Sequence, residues 1–273
     1  MPAAALAFAI AAAFLHAFWN LLLAKARDPE AATAVMLCFA LVAYAPVAAL
    51  TWHLERAAIP YLVVTSFLQL VYTALLAAAY RRAELSVVYP ISRGTAPVLV
   101  LLVGIAALGA GTSAQQAAGV CLVGLGILLV RGLKRKADLV GVIFGLVLAG
   151  FIAAYTLVDK DGIRYAAPFV YLELSMILPA VGLTLLVARL RGWRSLVAEV
   201  RPATALAGFA TFGAYGLVLA ALARAPAASV AAVRETSIVI AAGFAAIVLR
   251  EQVGAVRLGG AVLVALGVAL ISL

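Results

Sequence analysis

The residues best suited to chemistry are ionisable side chains inside otherwise apolar stretches. Arg93 lies in one such stretch, and Arg234 lies beside Glu235 in another. An ionisable side chain in a membrane-spanning segment is expensive, so its presence there indicates a function. A guanidinium group is a planar fork that matches a carboxylate or a phosphate. The sequence therefore predicts that Arg93 and Arg234 bind an anionic group of a substrate. A structural Arg–Glu network at an interface through Glu235 is the alternative.

The backbone around these arginines is expected to be irregular. Pro90 precedes Arg93, and Gly94 and Pro97 follow it, so the helix there is predicted to be broken or kinked, with freed carbonyls facing a cavity. Neighbouring residues on a helix point about 100° apart. Glu235 is therefore expected to be poorly placed to neutralise Arg234, and each is expected to find its partner on another helix.

Two further residues are candidates for proton coupling. Glu173 lies in an apolar stretch with no cation within a helical turn, and His16 lies in the first apolar stretch. A carboxylate or an imidazole in such surroundings can carry a proton during transport. Trp19 and Asn20 follow His16 at i+3 and i+4, so these three residues share one helix face. The remaining candidates for the wall of a substrate cavity are Gln69, Tyr72 and Thr73, which share one helix face, together with Tyr89 and Ser237.

Signals for enzyme chemistry are missing from the sequence. No nucleotide-binding loop or nucleophile with a neighbouring base is present, and His16 has no second metal ligand at i+4. We therefore expect no enzymatic activity, no metal and no cofactor. Cys38 and Cys121 lie inside apolar stretches, where a packing role is expected. Asp159, Lys160 and Asp161 are expected to be solvated at the end of a span.

The elements that position these residues follow from composition. The chain has 273 residues, of which 67% are hydrophobic and 11% charged, too few polar residues to cover a water-soluble core. A spanning helix needs about 20 apolar residues. The sequence predicts an all-α integral membrane protein of ten spans, with short loops and no room for a soluble domain. The predicted spans are residues 3–24, 31–51, 58–80, 87–108, 114–131, 139–158, 167–188, 203–223, 227–249 and 257–273.

Charged residues between the spans indicate an orientation. Loops after odd-numbered spans hold fourteen Lys and Arg residues, whereas loops after even-numbered spans hold four. The excess places the odd loops in the cytoplasm and both termini outside. The net charge of +9 is scattered between apolar runs, so no nucleic-acid partner is predicted.

The chain matches itself at a shift of 141 residues. Arg93 then falls on Arg234, and Gly119 falls on Gly260. A weaker match, at a shift of 136, extends the similarity to the first span of each half. The predicted repeat units are residues 1–132 and 138–273, with five spans in each. An odd number of spans inverts the second unit in the membrane. This is the plan of secondary transporters with a substrate site between the halves.

Several motifs carry a resemblance to a known family. They are the pairs Trp19-Asn20 and Tyr155-Thr156, the segments 89–97 and 249–252, and the glycine-containing helix from Gly260 to Gly267. With five plus five spans, the chain resembles the EamA-type family of the drug/metabolite transporter superfamily. The resemblance implies export or exchange of small metabolites, amino acids or drugs, coupled to protons or driven by substrate exchange. It also implies cytoplasmic termini, against the charge count.

These observations predict a secondary transporter working by alternating access. The favoured cargo is an amino acid or another carboxylate, in a central site lined by the first, third, fourth, seventh, eighth and ninth spans. One alternative is a proton-coupled exporter of amphipathic cations that uses Glu173. The other is a membrane scaffold or lipid flippase without a small-molecule cavity. High alanine content and an excess of Arg over Lys suggest a bacterial protein of the cytoplasmic membrane, in contact with lipid. Its glycine-rich helices are expected to serve packing or homodimer contacts.

Overall fold

The computed structural model describes residues 1–23, 26–82, 85–109, 111–131, 139–240, 243 and 254–272. Outside their connections these residues are helical, apart from one antiparallel bridge between Leu54 and Ala166. A single 3₁₀ turn, Arg56–Ala58, precedes the third helix. The α-helices are α1 (Ala3–Leu23), α2 (Pro29–Leu50), α3 (Ile59–Arg82), α4 (Leu85–Leu108), α5 (Ala114–Arg131), α6 (Leu139–Gly162), α7 (Pro168–Arg191), α8 (Trp193–Ala198), α9 (Pro202–Leu222), α10 (Ala227–Arg234) and α11 (Ala255–Ser272).

The helices follow the predicted spans to within a few residues, except in the ninth span. Within the described residues, six helices are long and apolar enough to cross a membrane, and three shorter apolar stretches accompany them. The count of ten spans stays a prediction, because the ninth, 227–249, is described continuously only to residue 240. Helix α8, a short helix between α7 and α9, was not predicted.

The outer surface of the helices is apolar. Many large hydrophobic side chains are more than half exposed, among them Val42, Phe67, Ile143 and Leu266. Exposing so much apolar surface to water is unfavourable. Such a surface is suited to contact with lipid chains. The protein is therefore a multi-pass membrane protein.

The two halves of the chain interlock through equivalent contacts. Helix α1 packs on α9, and its repeat equivalent α6 packs on α3; α2 also packs on α9, as its equivalent α7 does on α3. Helices α2 and α7 pack on each other, as do α5 and α11. The helices of each predicted unit therefore pack extensively against the other unit, and the space between the units becomes the centre of the molecule. The boundaries 1–132 and 138–273 stay predictions.

Glycines allow α5 and α11 to approach closely. A Cβ atom on Gly119 would lie 2.7 Å from the carbonyl oxygen of Gly267, and one on Gly126 would lie 2.7 Å from that of Gly260. Neither distance is possible for a real side chain, so these small residues set the separation of the two helices. They serve packing within the chain, whereas the predicted homodimer is a separate hypothesis.

The backbone around Arg93 departs in part from the prediction of a broken or kinked helix. Helix α4 is not broken near Arg93 but runs without interruption from Leu85 to Leu108, whereas a kink within it stays a prediction. Proline in a membrane helix is tolerated where neighbouring groups satisfy the freed carbonyls, which explains how α4 continues past Pro90 and Pro97. The interruption lies instead at Glu235, whose N–H donates to Ala232 O at 3.1 Å in a tight turn that ends α10; residues 236–240 are helical again.

Candidate functional site

A central cavity lies between the interlocked halves. It encloses about 930 Å³, the space at its mouth included, and α1, α2, α3, α4, α6, α7, α9 and α10 contribute to its wall. The second and sixth spans thus add to the six that were predicted to line it. Its polar and aromatic lining residues are His16, Trp19, Thr33, Gln69, Tyr72, Thr73, Arg93, Tyr155, Thr211, Phe212, Tyr215 and Arg234.

Arg93 and Arg234 reach the same carboxylate from equivalent positions in the two repeats. Arg93 Nη1 donates to Glu235 Oε1 at 3.2 Å, and Arg234 donates to that oxygen from Nη2 at 3.2 Å and from Nε at 3.4 Å. Glu235 is fully buried, while both arginines line the cavity. The two guanidinium groups thus share one carboxylate that lies behind the cavity wall.

The contact between Arg234 and Glu235 corrects the sequence analysis. Adjacent residues were expected to point too far apart to pair, but that argument holds only for a continuous helix. Because α10 ends at Arg234, Glu235 leaves the helical path and its carboxylate turns back to the preceding residue. Glu235 also pairs with Arg93 on α4, so one side chain joins equivalent segments of the two repeats.

His16 lies next to this pair and contacts two donors. The indole N–H of Trp19 donates to His16 Nδ1 at 3.3 Å, and Arg93 Nη2 lies 3.1 Å from His16 Nε2. A neutral imidazole has only one acceptor nitrogen, and a protonated imidazole has none. His16 can therefore accept a hydrogen bond from at most one of these two donors.

Another part of the cavity wall carries a chain of hydrogen bonds that ends at a buried carboxyl group. Gln69 Nε2 donates to the hydroxyl oxygen of Tyr215 at 3.1 Å, and the Tyr215 hydroxyl donates to Asp159 Oδ2. The hydroxyl of Thr65 donates to the other carboxylate oxygen, Oδ1. Gln69 and Tyr215 line the cavity, whereas Asp159 and Thr65 are fully buried behind them.

Asp159 is the polar residue whose position the sequence analysis missed. It was expected to be solvated because it begins a charged triplet at a predicted span end. The structure instead extends α6 to Gly162 and buries Asp159 completely. The sequence does contain one signal for this position, because Asp159 lies four residues after Tyr155. Residues four apart share a helix face, and Tyr155 lines the cavity. Lys160 is only partly exposed, and its Nζ donates to the carbonyl oxygens of Leu222 and Ala225.

The rest of the cavity wall is aromatic and aliphatic. The rings of Tyr72 and Tyr155 are 6.0 Å apart at 74°, and those of Tyr155 and Tyr215 are 6.3 Å apart at 66°, both edge-to-face. Leucine, methionine and phenylalanine side chains complete the lining. Such a site, mostly apolar with a few converging polar groups, is typical of pockets for small organic molecules.

Other predicted site residues lie away from the lining. The Asn20 amide donates to the backbone carbonyl of His16 at 2.7 Å, and Ser237 is buried without reaching the cavity. Glu173 does not line the cavity either, and its Oε2 has no hydrogen-bond partner among the described residues. Tyr89 belongs to α4, but its side chain lies outside the described residues, as do residues 249–252.

The structure and the comparisons together define the class of the protein. Interlocked apolar helices around a central cavity are the architecture of a membrane transporter. The model of the EamA-like transporter family matches residues 3–132 and 139–273, and the chain belongs to that family, within the drug/metabolite transporter superfamily. A solved crystal structure is similar over 100% of this chain and 99% of its own, with a TM-score of 0.81 and 15% identity, which supports the fold. No curated protein matches the chain.

Metal binding has no support in the described part of the chain. No group of three or more His, Cys, Asp or Glu side chains there is arranged to hold an ion. The cavity's chemistry is therefore that of two guanidinium groups, an imidazole, an amide and several hydroxyls on an apolar wall.

Proposed function

We propose that this protein is a secondary transporter of small organic molecules that bear a carboxylate, such as amino acids or other metabolites, in the bacterial cytoplasmic membrane. The observation that carries the proposal is the charge of the cavity. Its described lining includes two guanidinium groups and no carboxylate. In a low-dielectric site a carboxylate gains strong, charge-assisted hydrogen bonds from such groups.

The donors around His16 support the same cargo. When Nδ1 accepts from Trp19, the imidazole carries its hydrogen on Nε2, beside the guanidinium of Arg93. The Nε2–H of His16 and an N–H of Arg93 Nη2, whose nitrogens are 3.1 Å apart, can share one anionic oxygen of the cargo. The aromatic and aliphatic wall suits the carbon skeleton of the cargo, because most of the remaining lining is apolar.

The proposal is tested by ligand-induced stabilisation of the purified protein in detergent. The probes are benzoate, pyruvate, L-phenylalanine and L-glutamate, with tetraphenylphosphonium as a lipophilic cation. A ligand at 100 times its Kd stabilises a protein by about 2.7 kcal/mol, which a thermal shift detects. We expect stabilisation by at least one carboxylate, and a loss of affinity of about 10- to 100-fold in Arg93→Ala and Arg234→Ala, the range of a charged hydrogen bond.

Arg189→Ala is the matched control, because Arg189 is an exposed arginine near the end of α7, away from the cavity. Its affinity should equal that of the unmodified protein. Stabilisation by tetraphenylphosphonium alone, abolished by Glu173→Gln, would replace the proposal with the amphipathic-cation exporter. Stabilisation by none of the probes, with no carboxylate uptake into proteoliposomes, would favour the scaffold or lipid flippase.

A further inference from the structure

We propose that Asp159 is a proton-binding site, and that its protonation is coupled to carboxylate binding through Tyr215 and Gln69. This inference rests on the proposed function, because it assigns the proton that accompanies the cargo. Asp159 is fully buried in a membrane-spanning helix, and it forms no ion pair with any described residue. A buried carboxylate without a cationic partner is rare in membrane helices and is typical of proton pathways.

The surroundings of Asp159 are neutral hydrogen-bonding groups. Its oxygens accept from Thr65 on α3 and from Tyr215 on α9, and Tyr171 on α7 faces the same carboxylate. The adjacent cation, Lys160, donates to backbone carbonyls at the end of α9. The other ionisable groups around Asp159 and its neighbours are Tyr61, Arg93, Tyr155, Asp161, Arg164, Arg234 and Glu235. Among them the cation Arg234 acts on Asp159 through space, without an ion pair.

A second cavity lies on another face of the same helix. Tyr215 connects Asp159 to the central cavity, while Leu157 and Lys160 on the same helix line this second cavity of about 900 Å³, its mouth included. Asp161 and Arg164 line this second cavity as well, so it is charged and suited to water. Asp159 therefore has a hydrogen-bonded connection to the cargo site through Tyr215.

Protonation would reverse the hydrogen-bond chain. With Asp159 ionised, Tyr215 donates to the carboxylate and accepts from the Gln69 amide. One proton taken from water turns the carboxylate into a neutral acid, whose O–H can donate to Tyr215. The hydroxyl hydrogen of Tyr215 then needs a new acceptor. When the Gln69 amide rotates, its oxygen becomes that acceptor. That rotation turns the Gln69 N–H groups toward the cavity, where they can donate to a carboxylate. Proton and cargo should thus favour each other's binding.

The first test needs no cargo. Infrared difference spectra of the full-length protein in phosphatidylethanolamine/phosphatidylglycerol vesicles are recorded as the pH is lowered. We expect the carbonyl stretch of a protonated carboxylic acid, absent in Asp159→Asn and kept in Asp161→Asn, a matched change on the same helix. Tyr215→Phe should shift the band, because Asp159 loses one donor. A band that survives in Asp159→Asn, or that Glu173→Gln removes, would overturn the proposal.

The second test measures the coupling. The Kd of benzoate is determined across a pH range in which benzoate stays ionised. We expect the affinity of the unmodified protein to rise as pH falls, by at most about tenfold per unit for one linked proton. Asp159→Asn should bind benzoate with no pH dependence, because the Asn amide donates as the protonated acid does; Tyr215→Phe should also lose the dependence.

The two proposals fail in distinguishable ways. A protein that binds no carboxylate but shows the Asp159 band refutes the transport assignment and leaves the proton site. A protein that binds benzoate with unchanged pH dependence in both Asp159→Asn and Tyr215→Phe refutes the coupling and leaves the transporter. If Asp159→Asn folds poorly, Tyr215→Phe still tests the proposal. That variant retains the Asp159 carboxylate, and its carbonyl band is expected to shift.

Discussion

Two connections between the halves occupy equivalent positions in the repeats but are built differently. The first, the backbone contact, joins residues 51–58 to residues 163–167. The second, the ionic contact, joins residues 26–30 to residues 191–201. Helix α2 begins at the ionic contact and ends at the backbone contact. Its 22 residues span about 33 Å at about 1.5 Å per residue, so the contacts lie at opposite ends of the molecule.

The backbone contact consists of main-chain hydrogen bonds and stacked rings. Glu55 N–H donates to Tyr165 O at 2.8 Å, and Ala167 N–H donates to His53 O at 2.9 Å, around the bridge of Leu54. The rings of Tyr61 and Tyr165 stack 5.9 Å apart. None of these interactions depends on charge.

The ionic contact consists of charged side chains. Arg191 pairs with Asp28 at 2.6 Å and with Glu30 at 2.8 Å. Glu199 is almost fully buried, and its Oε1 accepts from the backbone N–H groups of Arg27 and Asp28, each at 2.9 Å. Arg201 lies 3.7 Å from the other oxygen of Glu199.

The difference indicates which end is easier to open. In the proposed alternating-access mechanism the two ends open in turn. A contact held by charges responds to salt and to charge removal, whereas main-chain hydrogen bonds do not. We therefore expect the ionic contact to be the more readily opened gate, with the backbone contact as the more permanent closure.

A single measurement follows both contacts. Both native cysteines are exposed and are first replaced by serine. Spin labels at Arg27 and Arg194 then report on the ionic contact, and labels at Trp52 and Arg164 report on the backbone contact. All four side chains are exposed. Pulsed electron resonance gives a distance distribution for each pair.

The largest effect is expected from Glu199→Ala. It leaves two backbone N–H donors without their acceptor, at about 1–3 kcal/mol for each buried group. The distance distribution across the ionic contact should broaden to longer distances, and the melting temperature should fall. Glu199→Gln keeps an acceptor oxygen and should show a smaller change. Equal broadening across both contacts would show that they do not act separately.

A smaller effect is expected from Tyr165→Ala. It removes the ring that stacks on Tyr61, worth about 0.5–1.5 kcal/mol beyond the area buried, and leaves the main-chain hydrogen bonds in place. Only the distances across the backbone contact should change, to the same extent at low and high salt. Tyr165→Phe keeps the ring and should match the unmodified protein. A broader distance distribution across the backbone contact in Tyr165→Phe would show that the hydroxyl, not the ring, is responsible.

Arg191→Ala should have a more modest effect. The side chain is 37% exposed, so its two ion pairs contribute about 1 kcal/mol or less. The ionic contact should loosen at low salt, and the difference from the unmodified protein should shrink at high salt. Arg189→Ala, two positions earlier and exposed, is the control. A difference that grows with salt would contradict an ionic origin.

The smallest effect is expected from salt alone. Raising the ionic strength from about 0.1 M to about 1 M shortens the Debye length from about 10 Å to about 3 Å. At the higher ionic strength the unmodified protein should show slightly longer distances across the ionic contact. The distances across the backbone contact should not change. A change confined to the backbone contact would reverse the assignment of the two ends.

Much of the fold could be read from local patterns. Apolar runs fixed the helices because a membrane span is defined by length and hydrophobicity, and the self-match at 141 residues paired Arg93 with Arg234. The interruption at Glu235 could not be read this way. Proline and glycine mark α4 as the irregular segment, yet packing keeps α4 helical and interrupts the equivalent helix, whose sequence has no proline at that point.

Composition and apolar runs predicted a helical membrane protein, the self-match related Arg93 to Arg234, and the motifs carried the resemblance to the EamA-type family. The packing of the helices was needed to show that Arg93 and Arg234 share Glu235, and that Asp159 is buried beneath Tyr215. Arg93 and Glu235 are 142 residues apart along the chain, and Asp159 and Tyr215 are 56 residues apart, so no local pattern relates them. Arg234 and Glu235 are adjacent, but they pair because α10 ends between them.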